Sequence, residues 1–381
     1  MESKTNLNQE VHMSYNTKLF IKVLRFISKP KFNALVQRFQ TDKRYRKFFS
    51  YQHFLAFVFA QFNHTTSLRE LNGAMQMNCN LKKVLSEFGS CGQVDSLNLS
   101  SLSRANNRRT YRLFENIFFC LLARHASNLS NSEIKLFKVI DGTFLTLSSK
   151  LFSWANFSPD TKAVKLTFCL DLSKGIPEQV FINVGEADDN AEILKLNLHP
   201  GFTYIFDRGY CSHTVYSHFN ENHIFFITRL PAFWSYEIKE KFPIEEGTNI
   251  LSDELITLGK NEQRVKGDLR LITLINDKGE IIQFLTNRLD LKATEIAEIY
   301  RRRWDIELFF RWVKQYLRIK RFLGTSPNAV YSQIFIALIT YLLTVLLKLT
   351  TNCNLSNLDI FRIIKHNLFQ PIKNVCLFGY D

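Results

Sequence analysis

Apolar positions along the first 130 residues recur with helical spacing. From Lys18 to Phe39 they fall at Leu19, Ile21, Val23, Leu24, Ile27, Leu35 and Val36, interrupted by Pro30. A basic stretch, DKRYRK from Asp42 to Lys47, precedes an apolar helix, SYQHFLAFVFAQF. Ser67 and Glu70 have the spacing of a capping box opening SLRELNGAM. Loose polar sequence then runs to about Leu97. After it, SLSRANNRRTYRLFENIFFCLLARHA predicts one helix, polar and basic at its start and apolar beyond.

From about residue 134 the period changes. IKLFKVIDGTFLTL, AVKLTFCLDLS, EQVFINVG and FTYIFDRGY are short β-rich runs separated by Gly, Pro, Asp and Ser turn signals. DDNAEILKLNLH can hold a short helix between the last two. A second β-rich region contains HIFFITRLP, ELITLG, LRLITLIND and IIQFLTNR, and helical sequence resumes from Thr294 to about Leu349. The order is helices, strands, more strands, helices, with no internal repeat. The longest apolar run, Ile334 to Leu349, is short for a membrane span and carries Thr340, Thr344 and Lys348. It predicts a buried helix and no membrane partner.

Composition adds a partner class. The chain has 381 residues, enough for two or three domains or one large domain with an insertion, and 46% are hydrophobic. Its 49 Lys and Arg against 35 Asp and Glu leave a net charge of +14. Such a surplus favours a polyanion, most simply nucleic acid. The 35 Phe read mainly as compositional bias. Seven Cys at 79, 91, 120, 169, 211, 353 and 376 include no CxxC pair, which speaks against a zinc site and for buried free thiols in a reducing compartment. MESKTNLNQE has no signal-peptide pattern, so a cytoplasmic location is expected. Arg104, Asn106, Asn107, Arg108 and Arg109 could enter a DNA groove; a solvated face of a bundle helix would read the same way.

Three acidic residues carry the candidate chemistry. Asp141 ends the apolar run LFKVI, and Asp207 ends TYIF. A carboxylate just past a buried strand is solvated and still rigidly aimed, although a turn-forming Asp fits the same pattern. Glu307 lies in YRRRWDIELFFRWVK. Tyr300, Arg303, Glu307 and Lys314 sit at offsets 0, 3, 7 and 14, within roughly 60° of one another on a continuous helix. Ile306, Phe309, Phe310, Val313 and Leu317 form the bordering apolar face. A salt-bridged surface helix is the plain alternative. Against it stand Arg301, Arg302, Arg303, Arg311, Lys314, Arg318, Lys320 and Arg321, with Asp305 and Glu307 as the acids among them. Such a helix repels itself unless phosphates neutralise it. Two Asp and a Glu on adjacent elements make a hard-oxygen site suited to Mg²⁺ or Mn²⁺, and two ions there can serve phosphodiester transfer. Arg303 and Lys314 would then grip the DNA backbone, with Tyr300 donating to a phosphate oxygen.

Tyr-x2-Arg-x3-Glu-x6-Lys resembles the YREK signature of IS4-family bacterial transposases. IDGT around Asp141 and FDRGY around Asp207 resemble the first two acidic motifs of that family's DDE triad. WANFSPDTKAVKL, GIPEQVFINVG, FLTNR and NAVYSQIFIALITYLL extend the likeness over roughly residues 134 to 350, and the front of the chain resembles the helical domain of one subgroup. Thr167 departs from the family, which often has His there.

The resemblance implies an α+β (α/β) fold with an RNase H-like core. In it the Asp141 and Asp207 strands lie side by side and the Glu307 helix packs across them. The implied layout is a helical, basic DNA-binding domain over 1–130, a catalytic domain over 131–350 with a mainly β insertion at about 215–290, and a helical tail over 351–381. It further implies cut-and-paste transposition through a DNA hairpin. Asp141, Asp207 and Glu307 would be catalytic residues and metal ligands, for two ions, and Tyr300, Arg303, Lys314, Arg104, Arg108 and Arg109 would contact DNA. Expected partners are double-stranded DNA, as terminal inverted repeats and target, and a second copy of the chain in a homodimer on that DNA, in a bacterial, nucleoid-associated setting. The family uses an aromatic residue of the insertion to receive a flipped base; Trp234 is the one Trp in that region, but no motif aligns it. A transposase-derived DNA-binding protein and an RNase H-like nuclease without strand transfer are the competing classes.

Overall fold

The computed structural model describes residues 17–88, 98–125, 136–158, 161–184, 189–231, 233–261, 264–316 and 322–375. By internal contacts the chain divides into two compact units, residues 1–126 with 312–381, and residues 127–311. The expected boundaries at 350 and 351 are therefore revised: the last helices belong with the first ones.

In the helical unit, Pro30 sits in the first turn of its helix, where its missing N–H costs nothing. It separates α1 (Leu19–Leu24) from α2 (Lys29–Phe39). Next come α3 (Ser50–Asn63) and α4 (Leu68–Met77). The Ser67 side chain accepts from the Glu70 N–H at 3.1 Å, but the Glu70 carboxylate reaches back to Thr66 rather than to Ser67. The polar stretch expected to be loose contains α5 (Cys79–Phe88), whose Leu81, Val84 and Leu85 are buried.

The single helix expected from residue 101 is two, α6 (Leu99–Arg108) and α7 (Arg112–His125). Arg109 breaks it with extended backbone (φ −69°, ψ 122°). The long apolar helix α12 (Pro327–Thr350; α8 to α11 lie between α7 and α12 in the chain) packs on α3, α6 and α7. It is long and apolar enough to span a membrane, yet 94% of its most apolar window is buried in the protein. Its buried Thr340 and Thr344 hydroxyls donate to the Ile336 and Thr340 carbonyls, so neither is left unsatisfied. The expected tail is no separate piece either. α13 (Asn357–Asn367) packs on α1, α3 and α12, and the Phe20 N–H donates to the Leu368 carbonyl at 2.8 Å. The described cysteines are free, but Cys169 alone of them is fully buried and Cys79 is exposed, against the expectation of buried thiols.

The other unit holds a nine-stranded sheet in the order β3-β2-β1-β4-β5-β9-β8-β7-β6. β1 (Phe137–Leu147), β2 (Lys162–Asp171) and β3 (Ile176–Val184) form an antiparallel meander. After α8 (Asp189–Ile193), β4 (Thr203–Phe206) joins β1 in parallel. After α9 (His213–Glu221), β5 (Phe225–Arg229) joins β4, also in parallel. This 3-2-1-4-5 order with two parallel crossovers is the RNase H-like core.

β6 (Tyr236–Lys241), β7 (Ile250–Leu258), β8 (Leu269–Ile275) and β9 (Ile281–Thr286) are antiparallel and extend the same sheet through the β5–β9 pair. The β insertion therefore starts after β5, not at 215, because α9 and β5 are core elements. β6 escaped the sequence reading because YEIKEK is charged and almost wholly exposed, as an edge strand can be. Inside the insertion, Arg270 grips the buried Asp253 through both nitrogens of its fork, at 2.8 and 2.6 Å. α10 (Ala293–Arg301) and α11 (Trp304–Tyr316) complete the run of elements.

Candidate active site

Strand register places the first two carboxylates. Ile140 pairs with Phe206 across the parallel β1–β4 junction, and both enter the apolar cluster on the α8–α9 side of the sheet. Side chains alternate along a strand, so the next residues, Asp141 and Asp207, face the opposite side on neighbouring strands. Phe168, opposite Asp141 on β2, shares that face and packs against Phe309 and Phe310 of α11 at 5.1 and 5.7 Å between ring centroids. α11 thus lies over the face that carries both aspartates. Ile306, Phe309, Phe310 and Val313 are its buried stripe. Leu317, counted in that stripe, lies outside the described residues, as do Arg318, Lys320 and Arg321.

Asp207 stands just past β4. Asp141 does not end its strand: it is the fifth residue of β1, and what ends beside it is the pairing with β4. Each aspartate accepts from the next residue's N–H, Gly142 at 2.7 Å and Arg208 at 2.8 Å.

Tyr300, Arg303 and Glu307 do not lie on one continuous helix. The chain leaves α10 at Arg301 and re-enters helix at Trp304. Four i→i+3 bonds tighten the turn between them: Arg302 N–H to Ile299, Arg303 to Tyr300, Asp305 to Arg302 and Ile306 to Arg303. The 100° phasing therefore fails at Arg303, yet the turn brings the three side chains to the aspartates. The Tyr300 hydroxyl donates to Asp207 at 3.4 Å. Arg303 lies between two carboxylates, with Nη2 at 2.9 Å from Glu307 and Nη1 at 3.5 Å from Asp141. In this arrangement Tyr300 and Arg303 are engaged by the acids rather than presented to a DNA backbone. Lys314 lies seven residues after Glu307 on α11, in the stretch that belongs to the helical unit.

The electrostatics follow from that crowding. Burial first, and then the Asp207 and Glu307 charges, push the Asp141 carboxyl up to about 6 against the pull of the Gly142 N–H and Arg303. Burial opposes the Arg303 charge, but Tyr300, Glu307, Asp207 and Asp141 together raise its pKa. Burial and the neighbouring Asp207 hold the Tyr300 hydroxyl protonated, far above its ordinary pKa.

The donor set suits a hard divalent cation in type: three carboxylates and no thiol or imidazole. As placed, no three His, Cys, Asp or Glu side chains among the described residues stand close enough to enclose a metal ion. Arg303 is the positive charge between Asp141 and Glu307.

A support beneath β1 escaped the sequence reading. On the far side of the sheet the buried Glu192 accepts from Lys165 Nζ at 2.7 Å, Thr167 Oγ1 at 2.6 Å and the Asn183 amide. Thr167, the one departure from the family pattern, is thus a buried donor. Gly142 leaves room for this layer, since a Cβ there would stand 3.1 Å from Tyr210 Oη and 3.3 Å from Lys165 Cε. Gly142→Ala is expected to destabilise the protein by about 1 kcal/mol, read as a lower midpoint in thermal denaturation; an unchanged midpoint would mean that Tyr210 and Lys165 yield freely.

The N-terminal candidates separate. Arg104, Asn107 and Arg108 are exposed on α6, whereas Asn106 and Arg109 are 1% and 2% exposed. Arg109 donates to the Thr41 carbonyl, the Asp42 carboxylate and the Phe48 carbonyl, so it is removed from any groove-reading surface. Trp234 is stacked on His213, with ring centroids 4.2 Å apart.

Comparison with known proteins fits this geometry. The model of the transposase DDE domain matches residues 134–343, and a domain of unknown function, DUF4372, matches 16–89. The transposase y4zB of Sinorhizobium fredii is 30% identical over 282 residues, covering 73% of this chain and 76% of its own. The transposase for insertion sequence element IS4SA of Synechocystis is 26% identical, covering 74% and 81%. That for element IS5377 of Geobacillus stearothermophilus is 29% identical, covering 60% and 62%. A solved piggyBac transposase synaptic complex with hairpin DNA overlaps with a TM-score of 0.47 at 10% identity, covering 96% and 83%, too slight a likeness to carry an argument. DDE transposase domains act on DNA with divalent metal ions. With the family model spanning more than half its length and the two aspartates side by side on an RNase H-like sheet under the Glu307 helix, the chain belongs to the DDE transposases of bacterial insertion sequences.

Proposed function

We propose that Asp141, Asp207 and Glu307 hold Mg²⁺ or Mn²⁺, as two ions, and that the chain excises and inserts its element by cut-and-paste transposition. The observation that carries this reading is the shared face: two aspartates on adjacent parallel strands, with Glu307 tied to Asp141 through Arg303. Ions bound there would activate a water or a 3′-hydroxyl and stabilise the leaving 3′-oxygen. Strand β1 aims Asp141, and the Tyr300 hydroxyl orients Asp207. Arg303 balances the acids, and with a cation held there its guanidinium would be available to a phosphate oxygen. Lys314, farther along α11, takes another phosphate. The substrates are double-stranded terminal inverted repeats and target DNA, joined by a homodimer, with a hairpin on the path.

The test is incubation of the chain and Mg²⁺ with duplex DNA carrying the sequence that flanks its own gene. Cleavage at the element ends followed by joining to a second duplex is expected. Nicks without joining would favour a nuclease, and binding without cutting would favour a protein that has lost the chemistry.

A further inference from the structure

The sequence matched by the domain of unknown function runs through a loop whose cations face open space. Between α2 and α3, Lys43, Arg44, Arg46 and Lys47 are exposed, as are Arg104 and Arg108 on α6. These two stretches line one cleft of about 730 Å³ that contains no acidic side chain. Among the described residues none of Arg44, Arg46, Lys47, Arg104 or Arg108 is paired with a carboxylate. Six cations around one concavity repel one another, and the chain holds them there regardless.

What holds them is built into the core. The Arg109 fork donates to Asp42 at 3.1 Å and to the carbonyls of Thr41 and Phe48, so it spans both ends of the loop. Its guanidinium lies 4.1 Å from the centroid of the Tyr45 ring. Asp42 in turn accepts from the backbone N–H and the hydroxyl of Ser50, both at 2.7 Å, fixing the start of α3. Arg109 also borders the cleft, and its remaining nitrogen, Nη1, is buried without a partner. A loop pinned at both ends by a buried arginine keeps its exposed cations in place, which lowers the ordering cost of meeting a polyanion.

We propose that this cleft is a clamp for the phosphate backbone of duplex DNA and that Arg109 is its positioning residue, an inference that rests on the reading of the chain as acting on DNA. Cations and the hydroxyls of Ser101 and Thr110 line it, while the lining amide, Gln40, already accepts from Lys43 at 3.1 Å. That chemistry grips phosphate regardless of base sequence.

The test is fluorescence anisotropy of the full chain with labelled duplexes, one of arbitrary sequence and one of the element end, over a salt series without divalent metal. Replacing Arg44, Arg46 and Lys47 together by Ala should weaken binding at least tenfold on both duplexes and flatten the salt slope by about 2 to 3. Arg104→Ala with Arg108→Ala should act in the same direction. Arg109→Lys, which keeps the charge but loses the fork, should weaken binding with little change in circular dichroism. Unchanged affinity and slope in the triple variant, with the wild type binding normally, would overturn the clamp alone. Loss confined to the element-end duplex would overturn it in favour of base reading. Failure of the wild type to bind either duplex would remove the DNA reading itself, and the clamp with it.

Discussion

Asp207→Ala is expected to abolish metal-dependent strand cleavage, lowering its rate about 10³-fold or more, while DNA binding persists. Asp141→Ala and Glu307→Ala should do the same. The size follows from what is removed: charge stabilisation by a bound ion is worth several kcal/mol in the transition state, and each 1.4 kcal/mol is about tenfold in rate. Binding persists because the carboxylates repel the backbone rather than hold it. Gel analysis of cleaved duplex and anisotropy of bound duplex separate the two effects. A variant that still cleaves at more than about a tenth of the wild-type rate would remove its residue from the site.

Arg303→Ala should divide stability from metal affinity. In the wild type the guanidinium stands between Asp141 and Glu307 and is only 11% exposed. Removing it leaves two carboxylates facing each other near Asp207, with no counter-charge. Glu307 is 36% exposed and well screened, so most of the penalty falls on Asp141. The metal-free protein should lose about 1 to 2 kcal/mol, a fall of roughly 5 °C in melting temperature. Mn²⁺ should restore more of that loss in the variant than it adds to the wild type, and should bind the variant about tenfold more tightly, since it no longer displaces a cation. Cleavage should still fall, because the proposed phosphate contact is gone. Equal metal-free melting temperatures and equal Mn²⁺ titrations would mean that the bridge does not form in solution.

Much of this site was legible because its information is local. An apolar run followed by Asp marks a strand and a carboxylate, and Asp141 and Asp207 each follow one. Register was not legible. That Asp141 lies within β1 depends on β2, which pairs with β1 as far as Leu147 after the β4 pairing has stopped at Ile140, a fact about other segments. Helical phasing correctly grouped Tyr300, Arg303 and Glu307, but for a reason that does not hold: a tight turn interrupts the helix, and the turn does the grouping. Their partners were also hidden. A cation among cations reads as a phosphate ligand until the fold brings an acid within reach, as it does for Arg303 and, beside Asp42, for Arg109. The apolar helix Pro327–Thr350 is buried as its composition demands. Composition does not say against what, and it packs on N-terminal helices far away in the sequence. Strand β6 failed for the opposite reason, since an exposed edge needs no apolar alternation.

The central claim, that these carboxylates hold the catalytic metal, is tested most directly by changing the ligand's softness. Asp141→Cys places a thiolate where a carboxylate stood, and a thiolate binds Mg²⁺ poorly but accepts Mn²⁺. The account predicts strand cleavage lost in Mg²⁺ and recovered at least in part in Mn²⁺. Cleavage by the Asp141→Cys chain in Mg²⁺ at the wild-type rate would contradict it.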